Sequence, residues 1–373
     1  MTAAPSPIDD FKRAISPTEE IINEAREGRM FILVDAEDRE NEGDLIIPAQ
    51  FATPAQINFM AKYGRGLICL ALTEERTRAL GLQPMTPANQ QRTGTAFTVS
   101  IEAREGVTTG ISAHDRALTI AVAIDATKGA TDIGSPGHVF PLTARDGGAL
   151  VRAGHTEASV DISRMAGLNP SAVICEIMND DGTMARLPEL VTFAQFHNMK
   201  IGTIADLIAY RRMHERLVEK VLEQPFHTRL GSGFRMVVFR NTIDGVEHVA
   251  LVKGEIRADR PTLVRVHRVD FEHDVLPGPY QSRIDLSVAE IEKEGAGAIV
   301  LIRQLGTDSL SRRLSGWLPE KEDDQTIRIV GMGAQILREL GVRRMIVLAK
   351  DPQRVVGVDG YGLTIDGWRG FST

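Results

Sequence analysis

The most constraining feature of this sequence is an acidic stretch enclosed by two short apolar runs. Residues 34–45 read VDAEDRENEGDL and contain six acidic side chains and one arginine. The apolar run at residues 31–34 predicts a buried strand, and Gly43 allows the chain to turn before a second apolar run at residues 45–47. The acids are therefore expected on a loop at the end of a strand, where enzymes often hold reactive groups against a rigid scaffold.

Two interpretations of this loop follow from its charge. Like charges this close repel one another, and a bound cation or an arginine-paired substrate would offset that repulsion. The alternative is a solvated acidic turn with no ligand. The spacing of the acids alone leaves both interpretations open.

The composition restricts the class of protein. A length of 373 residues is typical of two or three domains, and a net charge of −7 with a pI near 5.8 argues against broad binding to nucleic acids or anionic membranes. The two cysteines, Cys69 and Cys175, are too few for a disulfide framework or a four-thiolate zinc site. We find no secretory signal, and no apolar run approaches the roughly 18 residues that a membrane span needs. These features predict a soluble cytoplasmic protein that binds neither nucleic acid nor membrane.

The first half of the chain predicts a mixture of helices and strands. Ser16 is expected to cap the first helix, with Glu19 completing a capping box and Gly28 ending the helix. Further helices are predicted at residues 53–61, 73–80, 189–198 and 204–222, and strands at 31–34, 67–72, 96–101, 120–124 and 173–178. The last helix is long and charged and ends before Pro225, which makes it the predicted linker. The predicted domains are residues 1–213 and 226–373, joined by a helical linker at 214–225.

The second half predicts strands first and then an alternation of helices and strands. The strands are expected at residues 235–240, 248–252 and 263–267. A helix at 286–294, a strand at 298–302, a helix at 334–340 and a strand at 345–349 follow, and this order favours a parallel sheet. The predicted fold is therefore an α+β domain, with a mixed sheet and flanking helices, followed by an α/β domain.

Two histidines and their neighbours are candidates for a binding site. His138 and His155 each follow a glycine, which allows the backbone to approach a ligand closely. Arg152, Thr156 and the backbone around Gly154 would form a compact anion pocket, because an arginine fork pairs bidentately with phosphate. The alternative is that both histidines are structural hydrogen-bonding residues.

Carboxylates complete the candidate chemistry. Glu40 with His155 would suit a divalent cation that keeps several waters, and magnesium fits this set better than zinc, which prefers more nitrogen or sulfur ligands. Four neighbours would surround that ion and hold a polyhydroxylated ligand: Asp35, Arg39, Glu42 and Asp44. Glu176 lies within an apolar strand and is either paired structurally or held with a raised pKa for proton transfer. Cys69 is either a core residue or part of the pocket lining.

Several segments of the first half resemble one enzyme family when they are taken together and in order. They read DAEDRENEGDL, TTGISAHDRALT, PGHVFPL, RAGHTEASVDISRMAGL and CEIMNDDGTMAR. This set resembles 3,4-dihydroxy-2-butanone 4-phosphate synthase of riboflavin biosynthesis, over nearly all of residues 12–213. The resemblance implies a lyase that converts D-ribulose 5-phosphate to 3,4-dihydroxy-2-butanone 4-phosphate and formate, with Mg²⁺ or Mn²⁺. It also implies a homodimer whose sites lie near the subunit contact.

The resemblance also implies a role for each matching residue. Glu40 and His155 correspond to the metal ligands, and Arg39 and Asp44 to substrate contacts. Arg152 and Thr156, with Gly154 between them, correspond to the phosphate grip, and His138 and Glu176 to the acid/base pair. The chain departs from the family pattern at Ala36, where a second Asp is expected, and at Ser135, where an Arg is expected.

The second half resembles GTP cyclohydrolase II in the segments RMVVFRNTIDGVEHVALVKGEI, TLVRVH, GMGAQILRELGVRRMIVL and GVDGYGL. That family holds zinc with three cysteines after the VRVH strand, whereas no cysteine follows Cys175 in this chain. We therefore expect an inactive cyclohydrolase-like domain without zinc. Two alternatives stay open: a bifunctional enzyme, and a second domain that acts as a regulatory or interaction module. A zinc site rebuilt from nearby side chains is a further possibility, and its ligands would be His267, Asp270, Glu272 and His273.

Overall fold

The computed structural model describes residues 14–37, 39–86, 88–89, 94–269, 274, 282–303, 322–349 and 361–371, and gives the backbone alone for 322–330. The chain separates into two compact units, Met1–Arg211 and Arg212–Thr373. Each unit has its own sheet and its own buried cores. No helix among the described residues is long and apolar enough to span a membrane.

The first unit is a mixed sheet flanked by helices, as the sequence predicts. Its strands are β1 (Phe31–Val34), β2 (Gly43–Pro48), β3 (Cys69–Thr73), β4 (Ile101–Ala103), β5 (Ile133–Ala144), β6 (Ala172–Glu176) and β7 (Ile201–Thr203). Its helices are α1 (Thr18–Arg26), α2 (Pro54–Phe59), α3 (Glu74–Ala79), α4 (Ala113–Ile124), α5 (His155–Met165), α6 (Leu187–Phe196) and α7 (Ile204–His214). The strand order is β4-β5-β3-β6-β2-β1-β7.

The alternation of side chains along the central strands gives the sheet two buried faces. Leu33, Ile46 and Ile174 pack on one face with α1 and α5, whereas Ile32 and Leu45 pack on the other face with α2, α4 and α6. Burying an aliphatic side chain of this size contributes roughly 1.5–3 kcal/mol. Both faces are therefore closed by helices, and chemistry is confined to the strand ends and to the loops that follow them.

Three predictions about local structure are wrong. Helix α1 begins at Thr18 with Pro17 as its N-cap and no side-chain cap bond, so the predicted Ser16 capping box is absent. The predicted strand at 120–124 is the end of α4, because Ser112 caps that helix and Ala117, Ile120 and Ala123 share its buried side. The predicted helix at 204–222 stops at His214. The supposed helical linker contains most of a strand instead, because apolar residues such as Val218 pair across a sheet.

The second unit is a mixed sheet with a parallel half. Its strands are β8 (Val218–Phe226), β9 (Phe234–Asn241), β10 (Glu247–Lys253), β11 (Thr262–Arg268), β12 (Gly297–Ile302), β13 (Arg344–Leu348) and β14 (Thr364–Arg369), with helices α8 (Arg283–Glu294) and α9 (Glu322–Glu339). Strands β12, β11, β13 and β14 run parallel, as the helix–strand alternation predicts, and β8, β9 and β10 add antiparallel strands beside β12.

The region of the alternative zinc site is described only in part. Asp270, Glu272 and His273 lie outside the described residues. The fourth residue of the hypothetical set, His267, is buried, and its Nε2 lies 2.7 Å from Asp274 Oδ2.

Candidate active site

The register of the central strands brings three separate segments of the sequence together. Leu33 on β1 is opposite Asp44 on β2, and Asp44 is opposite Glu176 on β6. Opposite residues of neighbouring strands point to the same face of a sheet, about 5 Å apart. Residues at positions 33, 44 and 176 therefore form a row across the sheet, close to the carboxyl end of β1 where the acidic loop begins.

The acidic loop is folded around the carboxylate of Asp35. Asp35 Oδ2 accepts hydrogen bonds from Arg39 Nη1 at 2.6 Å and from the backbone N of Glu40 at 3.2 Å, and its Oδ1 accepts one from the backbone N of Glu42 at 2.8 Å. Arg39 Nη1 also donates to Glu40 Oε2 at 2.7 Å. Asp35 and Asp44 are buried whereas Glu37 is exposed, so these two aspartates are not part of a solvated turn.

A possible cation site lies where this loop meets the start of α5. Asp35, Glu40 and His155 each offer a ligand atom, and the three atoms lie within 4.8 Å of one another. His155 is buried, and its Nε2 donates to the carbonyl oxygen of Leu33 at 3.2 Å. That bond leaves Nδ1 as the acceptor nitrogen, and Nδ1 lies 3.7 Å from Asp44 Oδ1. Two carboxylates and one neutral imidazole suit a hard divalent cation that keeps some of its waters.

Burial shifts the pKa values of the neighbouring groups against their charged forms. Burial lowers the pKa of His155, which keeps the imidazole neutral. Burial raises the pKa of Asp44, and the nearby carboxylate of Glu176 raises it further. Burial also raises the pKa of Glu176, although its Oε2 accepts a hydrogen bond from the backbone N of Leu67 at 2.8 Å. This pattern is typical of groups that transfer protons or receive a cation.

Close packing fixes the position of Glu176. A methyl group added at Gly66 would lie 2.4 Å from Glu176 Oε2 and 2.5 Å from the Glu176 carbonyl oxygen. Only a glycine therefore allows the backbone before β3 to approach this carboxylate. The sequence left a structural pairing and a proton-transfer role equally open for Glu176, and the raised pKa beside a row of acids favours the second.

The predicted anion pocket surrounds the N-terminus of α5. Gly154 is the N-cap of this helix, and His155 and Thr156 form its first turn, where backbone N–H groups favour anions. A methyl group at Gly154 would lie 2.4 Å from Arg152 Nη1 and 3.0 Å from Arg39 Nη2. Arg152 also donates to Glu157 Oε2 at 2.6 Å and to Thr95 Oγ1 at 2.9 Å, which fixes the guanidinium plane.

His138 lies on the other side of β3 from Glu176. Phe140 on β5 and Ile174 on β6 are both opposite Cys69 on β3. His138 precedes Phe140 by two residues on a parallel strand, and Glu176 follows Ile174 by two residues on an antiparallel strand. Both side chains therefore lie at the same height along β3. Two strand spacings separate them, or about 10 Å. The described contacts place His138 beside Glu102 rather than in the Asp35–Glu40–His155 cluster. Both free cysteines are buried, and burial raises the pKa of both thiols.

Sequence reasoning placed Asp35 near the ion but not among its ligands, and it missed Glu157 and Glu102. Asp35 carried one usable signal, because it is the first residue after an apolar strand and is within reach of the loop that follows. Glu157 lies in the first turn of α5, beside the predicted anion site, where an acidic side chain is not expected. The contact of Glu102 with His138 joins two neighbouring strands that are far apart in the sequence, and no sequence pattern indicates it.

Comparison with known proteins gives consistent results. The family model of 3,4-dihydroxy-2-butanone 4-phosphate synthase matches residues 19–210, and that of GTP cyclohydrolase II matches residues 219–369. A 3,4-dihydroxy-2-butanone 4-phosphate synthase of Pseudomonas aeruginosa is 48% identical over 361 residues, covering 94% of this chain and 98% of that protein.

Two solved structures are also similar. RibBX of A. baumannii, described as a two-domain 3,4-dihydroxy-2-butanone 4-phosphate synthase, is 42% identical with a TM-score of 0.75, covering 95% of this chain and 99% of that one. A 3,4-dihydroxy-2-butanone 4-phosphate synthase in complex with two magnesium ions is 41% identical with a TM-score of 0.52, covering 54% of this chain and 98% of that one.

Proposed function

The chain belongs to the 3,4-dihydroxy-2-butanone 4-phosphate synthase family, and from that premise we propose that it converts D-ribulose 5-phosphate to 3,4-dihydroxy-2-butanone 4-phosphate and formate in riboflavin biosynthesis. The observation that carries this proposal is the meeting of two half-sites at the start of α5. The Asp35–Glu40–His155 cluster includes the first residue of this helix, and the Arg152 guanidinium lies beside its N-cap, Gly154. A phosphorylated sugar needs both, one for its hydroxyl and carbonyl oxygens and one for its phosphate.

Magnesium is the metal that best fits this cluster, with Glu40 and His155 as ligands and Asp35 as a third candidate. A bound Mg²⁺ or Mn²⁺ would polarise the oxygens of the sugar, acidify the adjacent C–H bond and stabilise the resulting negative charge. The fit rests on the donor set, because hard carboxylate oxygens predominate and the imidazole is held neutral with Nδ1 available. Structural similarity to a synthase that binds two magnesium ions supports the same choice.

Side chains of the protein hold the phosphate, orient the substrate and transfer protons. Arg152, the first turn of α5 and Thr156 hold the phosphate, and Arg39 and Asp44 orient the hydroxyl groups. Glu176 and His138 act as the acid/base pair, because the reaction requires several proton transfers and so needs more than one group that titrates near neutrality. The raised pKa of Glu176 suits that role, since a carboxyl of this kind exchanges a proton more readily at neutral pH than an ordinary one.

Formate release tests the proposal directly. The purified protein is assayed with D-ribulose 5-phosphate before and after chelation, and then after Mg²⁺ is restored. We expect activity to be lost on chelation and to return with the metal, and Glu40→Ala and His155→Ala to lower kcat by at least about 100-fold. Glu37→Ala is the matched control, because Glu37 is an exposed acid of the same loop outside the cluster. Turnover like that of the wild type in Glu40→Ala or His155→Ala would refute the metal assignment.

The active form is proposed to be a homodimer. The family resemblance supports this, and so do two exposed apolar side chains, one next to Glu176 and one next to the loop that packs against Glu102, the partner of His138. Leu67 is 41% exposed beside Glu176, and Ile111 is 55% exposed beside Gly110, which packs against Glu102. Light scattering coupled to size exclusion measures the mass, and a monomer that retains full activity would contradict the dimer.

The second unit is proposed to lack cyclohydrolase activity, since no cysteine follows Cys175 to supply zinc thiolates. The match of residues 219–369 to the GTP cyclohydrolase II model is the observation that favours the bifunctional alternative. Incubation with GTP separates the two: we expect neither formate nor pyrophosphate, and no stoichiometric zinc in the purified protein. Release of formate from GTP with tightly bound zinc would establish the bifunctional enzyme. A regulatory or interaction role for this unit is compatible with an inactive one.

A further inference from the structure

Glu102 has no role in the site assigned above, although it contacts His138. His138 Nδ1 and Glu102 Oε2 lie 3.1 Å apart, which is a hydrogen-bond distance. The side chain of His138 is 42% exposed and that of Glu102 is 20% exposed, so the carboxylate is the better anchored of the two. This pair joins β5 to its neighbour β4 at the edge of the sheet.

An irregular strand pairing brings these two side chains together. Ile101 on β4 is opposite Val139 on β5, but the next residue, Glu102, is opposite Gly134. Four residues of β5, at positions 135–138, therefore have no partners of their own on β4 and form a bulge. Bulges redirect side chains and are enriched next to active sites. Here the bulge ends at His138, and Glu102 is the first residue of β4 beyond it.

Two glycines fix the geometry of this contact. A methyl group at Gly137 would lie 2.1 Å from the carbonyl oxygen of Ile101, so the bulge presses directly on the backbone of β4. A methyl group at Gly110 would lie 1.5 Å from Glu102 Oε1, so the loop before α4 packs against the carboxylate from the other side. Glu102 is therefore confined between the loop that carries Gly110 and the ring of His138.

The loop that presses on Glu102 is itself held rigidly. Asp115 in the first turn of α4 accepts hydrogen bonds from Thr108 Oγ1 at 2.8 Å and from the backbone N of Gly110 at 3.0 Å. Ser112 caps the same helix by accepting from the backbone N of Asp115 at 3.0 Å. The motif TTGISAHD thus fixes the loop that places Gly110 against Glu102.

We propose that Glu102 is a positioning residue for the synthase reaction. Its carboxylate accepts the Nδ1–H of His138, which fixes the tautomer and orientation of the ring and leaves Nε2 as the atom that accepts and returns the proton. A carboxylate selects this tautomer because it can only accept a hydrogen bond from the ring. The inference rests on the proposed role of His138 in proton transfer. It assigns a role to a residue that touches His138 and acts on the reaction through it.

The test combines kinetics with a direct reading of the tautomer. Protein labelled with ¹⁵N-histidine is examined by NMR at about pH 8.5, two units above the ordinary histidine pKa, and the His138 signals are identified from their loss in His138→Gln. We expect the wild type and Glu102→Gln to carry the proton on Nδ1, since the amide oxygen of glutamine still accepts. We expect Glu102→Ala to populate both tautomers and to lose about 10- to 100-fold in kcat with KM within about twofold.

A second variant moves the Glu102 carboxylate without changing residue 102 itself. Gly110→Ala should displace the Glu102 carboxylate and reproduce the mixed tautomers of Glu102→Ala. Gly182→Ala is the matched control, because Gly182 has nearly the same positive φ, +87° against +86°, but no atom lies near its Cβ position. An unchanged His138 tautomer in Glu102→Ala would overturn the proposal, as would an unchanged kcat. Failure of the proposed function is a separate result, since the wild type itself would then release no formate from D-ribulose 5-phosphate.

Discussion

Glu176, Asp44 and His155 occupy positions where burial disfavours their charged forms. Burial raises the pKa of each carboxyl and lowers the pKa of the imidazole. A neutral imidazole can bind a cation directly. The two carboxylates repel each other, and this repulsion is relieved only when one is protonated or when a cation binds. Ionisation of this cluster and uptake of a divalent cation should therefore favour each other.

Glu176→Gln should stabilise the metal-free protein while it inactivates the enzyme. Because the folded-state pKa of Glu176 is raised, its contribution to the free energy of unfolding is fully present at low pH and is lost as the pH rises through the folded-state pKa. Glutamine does not ionise, so the variant does not lose stability at this position as the pH rises. In EDTA, urea unfolding should show equal stabilities near pH 4 and a more stable variant at pH 8, and kcat should fall by about 10²- to 10⁴-fold.

Glu75→Gln is the control for this comparison, since Glu75 is an exposed acid on α3. It should leave both kcat and the pH dependence of unfolding unchanged. A stability gain of Glu176→Gln that is larger at pH 4 than at pH 8 would contradict a raised pKa. The amide oxygen can still accept the hydrogen bond from the backbone N of Leu67, so the comparison isolates the charge.

Helix α5 concentrates both halves of the candidate site at one terminus. Its N-cap is Gly154, its first residue is His155, and Arg152 lies just before it. Partial positive charge at a helix N-terminus favours a phosphate, and it also disfavours protonation of an imidazole placed there. One helix terminus would thus favour a bound phosphate and disfavour protonation of His155.

Arg152→Lys should weaken substrate binding more than turnover. Lysine keeps the charge but cannot span Glu157, Thr95 and a phosphate with one planar group. Loss of one charge-assisted hydrogen bond, about 1.5–3 kcal/mol, corresponds to a rise in KM of about 10- to 150-fold with kcat within about threefold. Steady-state kinetics with D-ribulose 5-phosphate measure both constants.

Arg164→Lys provides the matched change at the other end of the same helix. Arg164 is 54% exposed at its side chain and pairs with Asp161 at 3.4 Å, remote in sequence from the N-terminal turn. Its KM should match that of the wild type. For Arg152→Lys, a fall in kcat that is larger than the rise in KM would instead place this arginine at the reacting bonds.

Elements with a strong local signal were predicted well from the sequence, and elements defined by their partners were not. The apolar patterns of strand β1 and helix α6 each favour one type of secondary structure. Residues 120–124 are apolar in both a strand and a helix pattern, and the Ser112 cap, eight residues before residue 120, decides for the helix. The bulge that turns His138 toward Glu102 depends on the pairing of β4 with β5, which no window of the sequence contains.

At the scale of the whole molecule, each unit has its own apolar core. In the first unit, Leu33 and Ile174 belong to a cluster closed by α1 and α5, and in the second, Val264 and Val300 belong to another. The synthase structure with two magnesium ions aligns over 98% of its own length with 54% of this chain. The first unit contains residues 19–210, which match the synthase family model, so we expect it to fold without the second unit.

A fragment of residues 1–214 should fold and retain synthase turnover within about threefold of the full chain. The fragment must include the end of α7, because the buried guanidinium of Arg211 pairs with Asp161 at 2.7 Å and donates to the carbonyl oxygen of Gly147 at 2.9 Å. Removing one partner of a buried ion pair costs roughly 3–5 kcal/mol. Urea unfolding and formate release from D-ribulose 5-phosphate measure the two quantities.

A fragment of residues 1–209 serves as the comparison. It lacks Arg211 and leaves the Asp161 carboxylate with weaker compensation, so its unfolding midpoint should lie well below that of the 1–214 fragment. Equal stability of the two fragments would show that the ion pair is dispensable. A fall in turnover of more than about tenfold in a well-folded 1–214 fragment would mean that the second unit supports the synthase, which is the role left to it if it hydrolyses no GTP.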